Sequence, residues 1–395
     1  MQPNDNNVSR RNVLKATGGA AAALGVTGLA SAKPSETVEV NVGYGAESGL
    51  HAARAAADTV VREFNFDALT VQLPKAAADQ LSARGDIRYV ELNGEMHALA
   101  QTLPWGVDRV DAEVAHSNGY TGSGVDLAIV DTGIDSDHPD LQANLGSGHA
   151  VVSCATKRKG GCRYGLSPSD NPCHTAWDDD NEHGTHCAGI ADAVNNSQGV
   201  VGVSTQATLH AVKVLDECGS GSFSDVAAGI QYVADQGWDV ASLSLGGGAS
   251  STVKDAGTYA DNKGVLLVAA AGNSGPCTHC VGYPAAYSEF IAVSATTSSD
   301  GLASFSSTGP EVELAAPGKD IYSTVPGGYA TLSGTSMACP HVSGAGAQLM
   351  AQGYTNTEAR NQLTSTAEDI GLSSNEQGSG LLDVAASLGL NSSNN

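Results

Sequence analysis

Three short stretches carry residue types that together can perform nucleophilic catalysis. Ala128-Ile129-Val130-Asp131-Thr132-Gly133 sets an aspartate at the end of an apolar run. Glu182-His183-Gly184-Thr185-His186 sets a histidine where a helix would start. Gly334-Thr335-Ser336-Met337-Ala338-Cys339-Pro340-His341 sets a serine at the head of a run rich in small residues, with Pro340 expected in the first helical turn, where a missing N–H costs least. A serine hydroxyl becomes a strong nucleophile when a base removes its proton. An imidazole serves as that base when a carboxylate fixes its tautomer and stabilises its charged form. Asp131, His183 and Ser336 supply those parts. Ala271-Gly272-Asn273-Ser274-Gly275 adds Asn273 as a donor for the oxyanion, beside the Ser336 backbone N–H.

Each stretch has a plainer reading when taken alone. Serine is a favoured helix N-cap. Asp-Thr-Gly also occurs where two aspartates work as a pair, but no second copy is present. His183 and His186 form a metal pair without a nearby third ligand. Asn273 can simply hold a left-handed turn. Together, in Asp–His–Ser order, the four point to acyl transfer.

Such groups need a frame that brings distant segments to one edge. From Val125 onward, short apolar runs (Val125–Val130, Leu209–Leu215, Val240–Leu245, Val265–Ala271, Phe290–Ala295, Val312–Ala316) alternate with helical stretches (His183–Val194, Ser224–Gln236, Thr252–Lys263, Ser336–Gln352). Fully apolar strands alternating with helices predict an α/β fold, a mostly parallel sheet with helices on both faces. Sites in such sheets form at the carboxyl ends of strands. Residues 33–99 read instead as a small α+β unit. It has strands Val38–Val42, Leu69–Leu73 and Ile87–Leu92 and helices His51–Phe64 and Ala76–Arg84. A polar tail, 389–395, is expected to fray.

The first 32 residues read as an export signal. Ser9-Arg10-Arg11-Asn12-Val13-Leu14-Lys15 carries twin arginines, a mildly apolar stretch runs from Ala16 to Leu29, and Ala30-Ser31-Ala32 offers a small-residue cleavage site. That stretch is too short and too weakly apolar to span a bilayer, so a secreted, extracellular protein is expected. The chain holds 42 acidic and 19 basic residues, a net charge of −23. Residues 100–395 account for −21 of it, and the whole chain has nine lysines. A surface of this sign argues against nucleic acid and against anionic membrane as partners. Acid-rich, lysine-poor surfaces suit high salt, where screening removes self-repulsion.

Residues from about 100 to 388 closely resemble the subtilisin-like serine proteases, the subtilases, through Ile129–Leu141, His183–Gly189, Ser242–Gly247, Val268–Gly275, Val281–Ala285 and Gly334–His341. The twin-arginine start and the acidity are most similar to the haloarchaeal members, the halolysins. The chain departs from them by stopping where the catalytic domain stops. The resemblance implies that Ser336 attacks the peptide carbonyl, that His183 is base and then acid, that Asp131 orients it, and that Asn273 and the Ser336 N–H hold the oxyanion. It also implies that 33–99 is a propeptide, chaperone and inhibitor of the catalytic domain 100–388. Gln101–Val107 then matches the mature start, with cleavage near Leu99 or Ala100.

The same resemblance implies further sites and partners. Ser244, Leu245, Gly246, Ala270, Gly272 and Gly282 would line the substrate pocket, where glycine leaves room for a peptide strand and a bulky apolar or aromatic side chain on the acyl side. Gln101, Asp140, Val194, Asn196, Gln198 and Val200 would hold a structural Ca²⁺ through oxygen ligands. Asp178-Asp179-Asp180 reads as a solvated acidic run, with a second ion as the other reading. Of eight cysteines, Cys187 and Cys339 read as inert core thiols, with Cys339 as nucleophile the other possibility. Cys154, Cys162, Cys173, Cys218, Cys277 and Cys280 read as disulfide-forming in an exported protein, while Cys277 and Cys280 with His279 also resemble a zinc pair. The partners implied are protein or peptide substrates and the chain's own propeptide, with a monomer expected. Two other readings stand beside broad proteolysis: selective processing of exported proteins, and an inactive peptide-binding scaffold.

Overall fold

The computed structural model describes residues 37–93, 101–155 and 171–393. The export signal, the expected cleavage point near Leu99 and Cys162 lie outside the described residues. The chain divides into two compact units, Met1–Ala98 and Leu99–Asn395.

The first unit is a four-stranded antiparallel sheet of order β2-β3-β1-β4, with β1 Thr37–Tyr44, β2 Thr59–Phe64, β3 Ala68–Pro74 and β4 Ile87–Leu92. Helices Glu47–Ala56 and Lys75–Ser82 close over Val40, Val42, Leu69, Val71 and Leu73. One expectation fails here. The helix does not run from His51 to Phe64 but ends at Ala56, and residues 59–64 form the edge strand β2. The β-branched run Thr59-Val60-Val61 explains the change, since these side chains lose χ1 freedom in a helix and fit a pleated strand.

The second unit is built on a seven-stranded parallel sheet of order β11-β10-β9-β8-β5-β7-β6. Its strands are β5 Asp126–Asp131, β6 His149–Ala150, β7 Thr208–Lys213, β8 Val240–Leu243, β9 Leu266–Ala270, β10 Ile291–Thr296 and β11 Val312–Pro317. Along the long strands alternate side chains enter opposite cores, as a period of two requires, while β6 is two half-buried residues at the sheet edge. Leu127, Ile129, Val268 and Val293 face one core, and Ala128, Val130, Leu267 and Ala292 face the other. Helices His183–Asp192 and Thr335–Met350 pack into the first core. Helices Phe223–Gln236 and Ser251–Asn262 pack into the second. The α/β architecture with helices on both faces is therefore as expected. The sequence reading lacked the hairpin of β12 Ile321–Val325 and β13 Gly328–Leu332, and the helix Asn356–Ser365.

Two further expectations are corrected. The tail does not fray through 393: Ser392 hydrogen-bonds Asp383 and Ser393 bonds Asp111. Asp178, Asp179 and Asp180 are not a solvated run but buried carboxylates with specific partners. Asp178 accepts from Ser136, Asn171 and His174. Asp179 accepts from Thr132 and Thr185. Asp180 pairs with the fully buried Lys213 at 2.6 Å.

Candidate active site

Three neighbouring strands deliver the site's first groups. Ser242 in β8 pairs with Ile129 of β5 on one side and with Val268 of β9 on the other. Two residues further along lie Asp131, Ser244 and Ala270, at the carboxyl ends where parallel sheets expose backbone and side chains. Asp131 is fully buried. Its Oδ1 accepts the Thr132 N–H at 2.7 Å and the His183 Nδ1–H at 2.8 Å. That bond fixes the tautomer and leaves Nε2 as the basic nitrogen.

His183 opens its helix, and the approach to Asp131 depends on two glycines. A Cβ at Gly184 would lie 2.1 Å from the Gly133 carbonyl, and one at Gly133, whose φ is +111°, would lie 2.5 Å from the Trp177 carbonyl. Backbone therefore meets backbone at this turn. Glu182, just before His183, has φ +134°, a region costly for a residue with a side chain. The first turn is held from outside the helix: Asp179 accepts from the Glu182 and Thr185 N–H groups and from the Thr132 hydroxyl. Lys213 donates to the Thr132 carbonyl at 2.6 Å, tying the strand end down from the other side. Burial disfavours the charged His183 ring, but the Asp131 charge and hydrogen bond, with Asp179 behind, outweigh it. The net pKa is raised above the ordinary histidine value.

Ser336 lies in the first turn of its helix, half-buried. Its hydroxyl donates to the Ser244 carbonyl at 3.2 Å. Asn273 follows β9. Its Oδ1 accepts the Thr335 N–H at 2.9 Å and the Thr335 hydroxyl at 3.0 Å. A backbone N–H can only donate, so this contact identifies the amide oxygen and leaves the Asn273 NH₂ as the outward donor. The helix starts at Thr335, so Pro340 stands in the second turn and not the first as expected.

A cavity of about 690 Å³ opens beside these groups, within the size range of ligand clefts. His183, Ser244, Leu245, Gly246 and Asn273 line it, with Phe223 and Tyr283. Ala270, Gly272 and Gly282 do not: Ala270 is a buried strand residue, and Gly282 donates its N–H to the Ala271 carbonyl at 2.8 Å. Gly272 packs behind the site, its N–H on the Thr335 hydroxyl at 3.0 Å. The hydrogen bonds by which Thr335, Asp179 and Lys213 hold the site were not read from the sequence, where Asp179 stood only as part of an acidic run. Phe223 was missed too, since its exposure is visible only in the structure.

Away from the cleft, the six residues expected around a cation converge. The Gln101 amide lies 2.8 Å from the Val194 carbonyl and 3.0 Å from the Val200 carbonyl. Asp140 is fully buried and accepts from Val200 N–H, Tyr329 OH and Asn196. The Gln198 N–H bonds Asn196 Oδ1 at 2.7 Å. Among the described residues no cationic side chain pairs with Asp140. Cys154–Cys173 and Cys277–Cys280 are disulfides, so the latter pair is not a zinc site, and Cys218 is disulfide-bonded as well. Cys187 and Cys339 are buried free thiols. Burial pushes Cys339 up to about 11, which disqualifies it as a nucleophile.

The subtilase family (Peptidase_S8) matches residues 122–380. Similar proteins include subtilisin E of Bacillus subtilis, 42% identical over 334 residues that cover 83% of this chain and 82% of the relative. An alkaline protease of Shouchella clausii is 43% identical over 322 residues, 80% of this chain and 78% of the relative. A subtilisin of Bacillus pumilus is 44% identical over 293 residues, 73% of this chain and 99% of the relative. Identity of that depth, running along the very sheet whose strand ends hold these groups, makes the chain a member of the subtilase family and a serine endopeptidase.

Proposed function

We propose that the chain is a secreted, calcium-stabilised endopeptidase of broad specificity, exported through its twin-arginine signal and made as a precursor whose residues 33–99 are removed. The observation that carries the catalytic reading is the 2.8 Å His183–Asp131 bond at the mouth of the cleft that Asn273 shares. Ser336 attacks the scissile carbonyl as His183 Nε2 takes its proton. Asp131, buried and fixed, stabilises the imidazolium. The Asn273 NH₂ and the Ser336 N–H receive the oxyanion. The proton then passes from His183 to the leaving amine, and water repeats the sequence on the acyl-enzyme. Leu215, Leu245 and Val253 give the cleft apolar walls, while Gly246 and Gly247 bring no side chain to it, and a Cβ there would already touch Tyr283 at 3.7 Å and Phe223 at 3.5 Å. That combination favours a bulky apolar or aromatic residue on the acyl side.

The donor set around Asp140 fits Ca²⁺: a buried carboxylate with no cationic partner among the described residues, two side-chain amides and main-chain carbonyls. Gln101, Asp140, Val194, Asn196, Gln198 and Val200 would hold the ion, which would neutralise Asp140 and tie the mature start to the loop after the histidine helix. The acidic composition supports activity in high salt, the property that brings the chain nearest to halolysins. No helix among the described residues is long and apolar enough to cross a membrane.

One experiment tests the reading. Purified precursor is incubated with Ca²⁺ in high salt and its processing followed by mass, with arms lacking Ca²⁺, lacking salt, carrying Ser336→Ala, or treated with a serine-directed inhibitor. Cleavage near Leu99 and peptidase activity are expected only with Ser336 intact and uninhibited, both slower in the arms without ion or salt. Activity in the Ser336→Ala arm refutes the nucleophile. Equal thermal stability with and without Ca²⁺ refutes the ion site.

A further inference from the structure

We infer that Ser244 is a positioning residue for Ser336, and that Pro340 creates the contact it uses. This rests on Ser336 being the nucleophile. In an α-helix the carbonyl of residue i accepts the N–H of residue i+4. For Ser336 that partner is Pro340, which has no N–H. One carbonyl of the first turn is thereby released from the helix ladder. A buried carbonyl without a donor is costly, so a substitute must reach it.

The substitutes come from the sheet and from the histidine helix. The Ser244 hydroxyl donates to the Ser336 carbonyl at 2.7 Å, and the Cys187 thiol approaches the same oxygen at 3.4 Å. In return the Ser336 hydroxyl donates to the Ser244 carbonyl at 3.2 Å. Ser244 and Ser336 are thus joined in both directions. Ser244 follows β8 directly and is 4% exposed. Its one hydroxyl proton is spent on this contact, so it offers the cleft no free donor. The nucleophile's main chain, which also carries the oxyanion N–H, is pinned to the end of a central strand. An ordinary helix would have spent that carbonyl on itself.

The test is a double-mutant cycle between Ser244→Ala and Pro340→Ala, read by three quantities. These are kcat and KM for a peptide, and the rate at which a small fluorophosphonate labels Ser336. The small reagent reports nucleophile reactivity without filling the peptide cleft. Ser244→Ala is expected to lower kcat and the labelling rate by about tenfold each, with KM held within about twofold, the scale of one lost hydrogen bond. Pro340→Ala restores an N–H to the Ser336 carbonyl, so beside it Ser244→Ala should cost less than about threefold. Three results overturn the inference: an unchanged labelling rate, a rise in KM alone, or losses that simply multiply in the double variant. If Ser244→Ala does not fold, Cys187→Ala makes the same cycle at smaller amplitude, about twofold in the parent and none beside Pro340→Ala. Multiplying losses overturn it there too. A parent enzyme that the reagent does not label at Ser336 refutes the nucleophile reading itself, which keeps the two failures apart.

Discussion

The two faces of the parallel sheet are covered by helices built on opposite rules. Phe223–Gln236 and Ser251–Asn262 are ordinary amphipathic helices. Ser222 and Asp225 form a capping box at the first, Gly237 in a left-handed conformation ends it, and Ser250 caps the second. On the other face, the helices His183–Asp192 and Thr335–Met350 have no side-chain cap at the N-cap position. They are buried on all sides. Every residue of the first is buried except His183, and every residue of the second except Ser336 and the terminal Met350. Helix starts normally spend their free N–H groups on caps. Here the first-turn N–H groups are taken by residues from elsewhere in the fold, Thr132 and Asp179 at the first start and Asn273 at the second, and the side chain that faces outward is the one proposed for the chemistry. Local rules are kept where a helix only covers the sheet and broken where it carries the site.

The largest effect that would sharpen this contrast is expected from Asp131→Asn. It should lower kcat by roughly 10⁴-fold, a scale known from subtilisin and other triads. It should also move the acid limb of kcat/KM. The raised His183 pKa places that limb above the ordinary value of about 6.5, because the ring must be neutral to act as base. Removing the carboxylate should shift the limb downward. A pH–rate profile whose limb stays in place would show that Asp131 does not set the histidine's charge.

Next in size is Asn273→Ala, expected to lower kcat by roughly 10²–10³-fold with KM little changed, a magnitude established on subtilisin itself. Melting temperature should hardly move, because Asn273 is exposed and the contacts it loses are those to Thr335. A large drop in stability with a small drop in kcat would reverse the comparison, making the Asn273–Thr335 contact a structural joint.

What could be read from the sequence follows the same division. Six of the seven sheet strands were legible because each is a short, almost wholly buried apolar run, and periodicity needs nothing more; β6, two half-buried residues, was not. The helix starts at His183 and Ser336 were legible because glycine and small residues mark them. The hairpin β12–β13 was not, since Ile321-Tyr322-Ser323-Thr324-Val325 mixes polar and apolar residues, although Pro326-Gly327 marks its turn. Nor was the network behind the site. Lys213 lies within an apolar run, and nothing local says that its amine ends on Asp180, Thr132 and Leu215. The run Asp178–Asp180 reads as solvated because most of its partners, such as Thr132, Ser136 and Lys213, lie more than thirty residues away or are main-chain N–H groups. Pattern reports which residues are apolar. It does not report which polar groups tertiary structure will pair.

The buried histidines permit a finer test within the functional face. His186 and His341 sit in the same two helices as His183 and Ser336, but among the described residues their rings meet backbone carbonyls and no carboxylate. Burial lowers His186 to about 3 and His341 to about 4. Both are neutral in the folded state, whereas the unfolded chain takes up their protons below about 6.5. Their contribution to stability is therefore complete above that pH and is lost as pH falls through 6.5 toward 4, the opposite sign to His183. His341→Gln should flatten the dependence of unfolding free energy on pH between 6.5 and 4.5 by about one proton's worth. An unchanged slope would mean that the His341 ring is charged in the folded enzyme.

The smallest effect belongs to the other face and completes the comparison. Ser222→Ala removes a hydroxyl that accepts the Asp225 N–H at the start of a solvent-facing helix. Asp225 keeps its bond to the Ser222 N–H at 2.9 Å, so only half of the capping box is lost. The expected cost is about 1 kcal/mol of unfolding free energy. The neighbouring Phe223 lines the cleft, so its position decides whether the loss stays local. If the two faces are energetically separate, kcat and KM remain at parental values while stability drops. A raised KM with the same loss of stability would show that the ordinary helix also sets the cleft, through Phe223, and that the division between covering and working helices is one of caps alone.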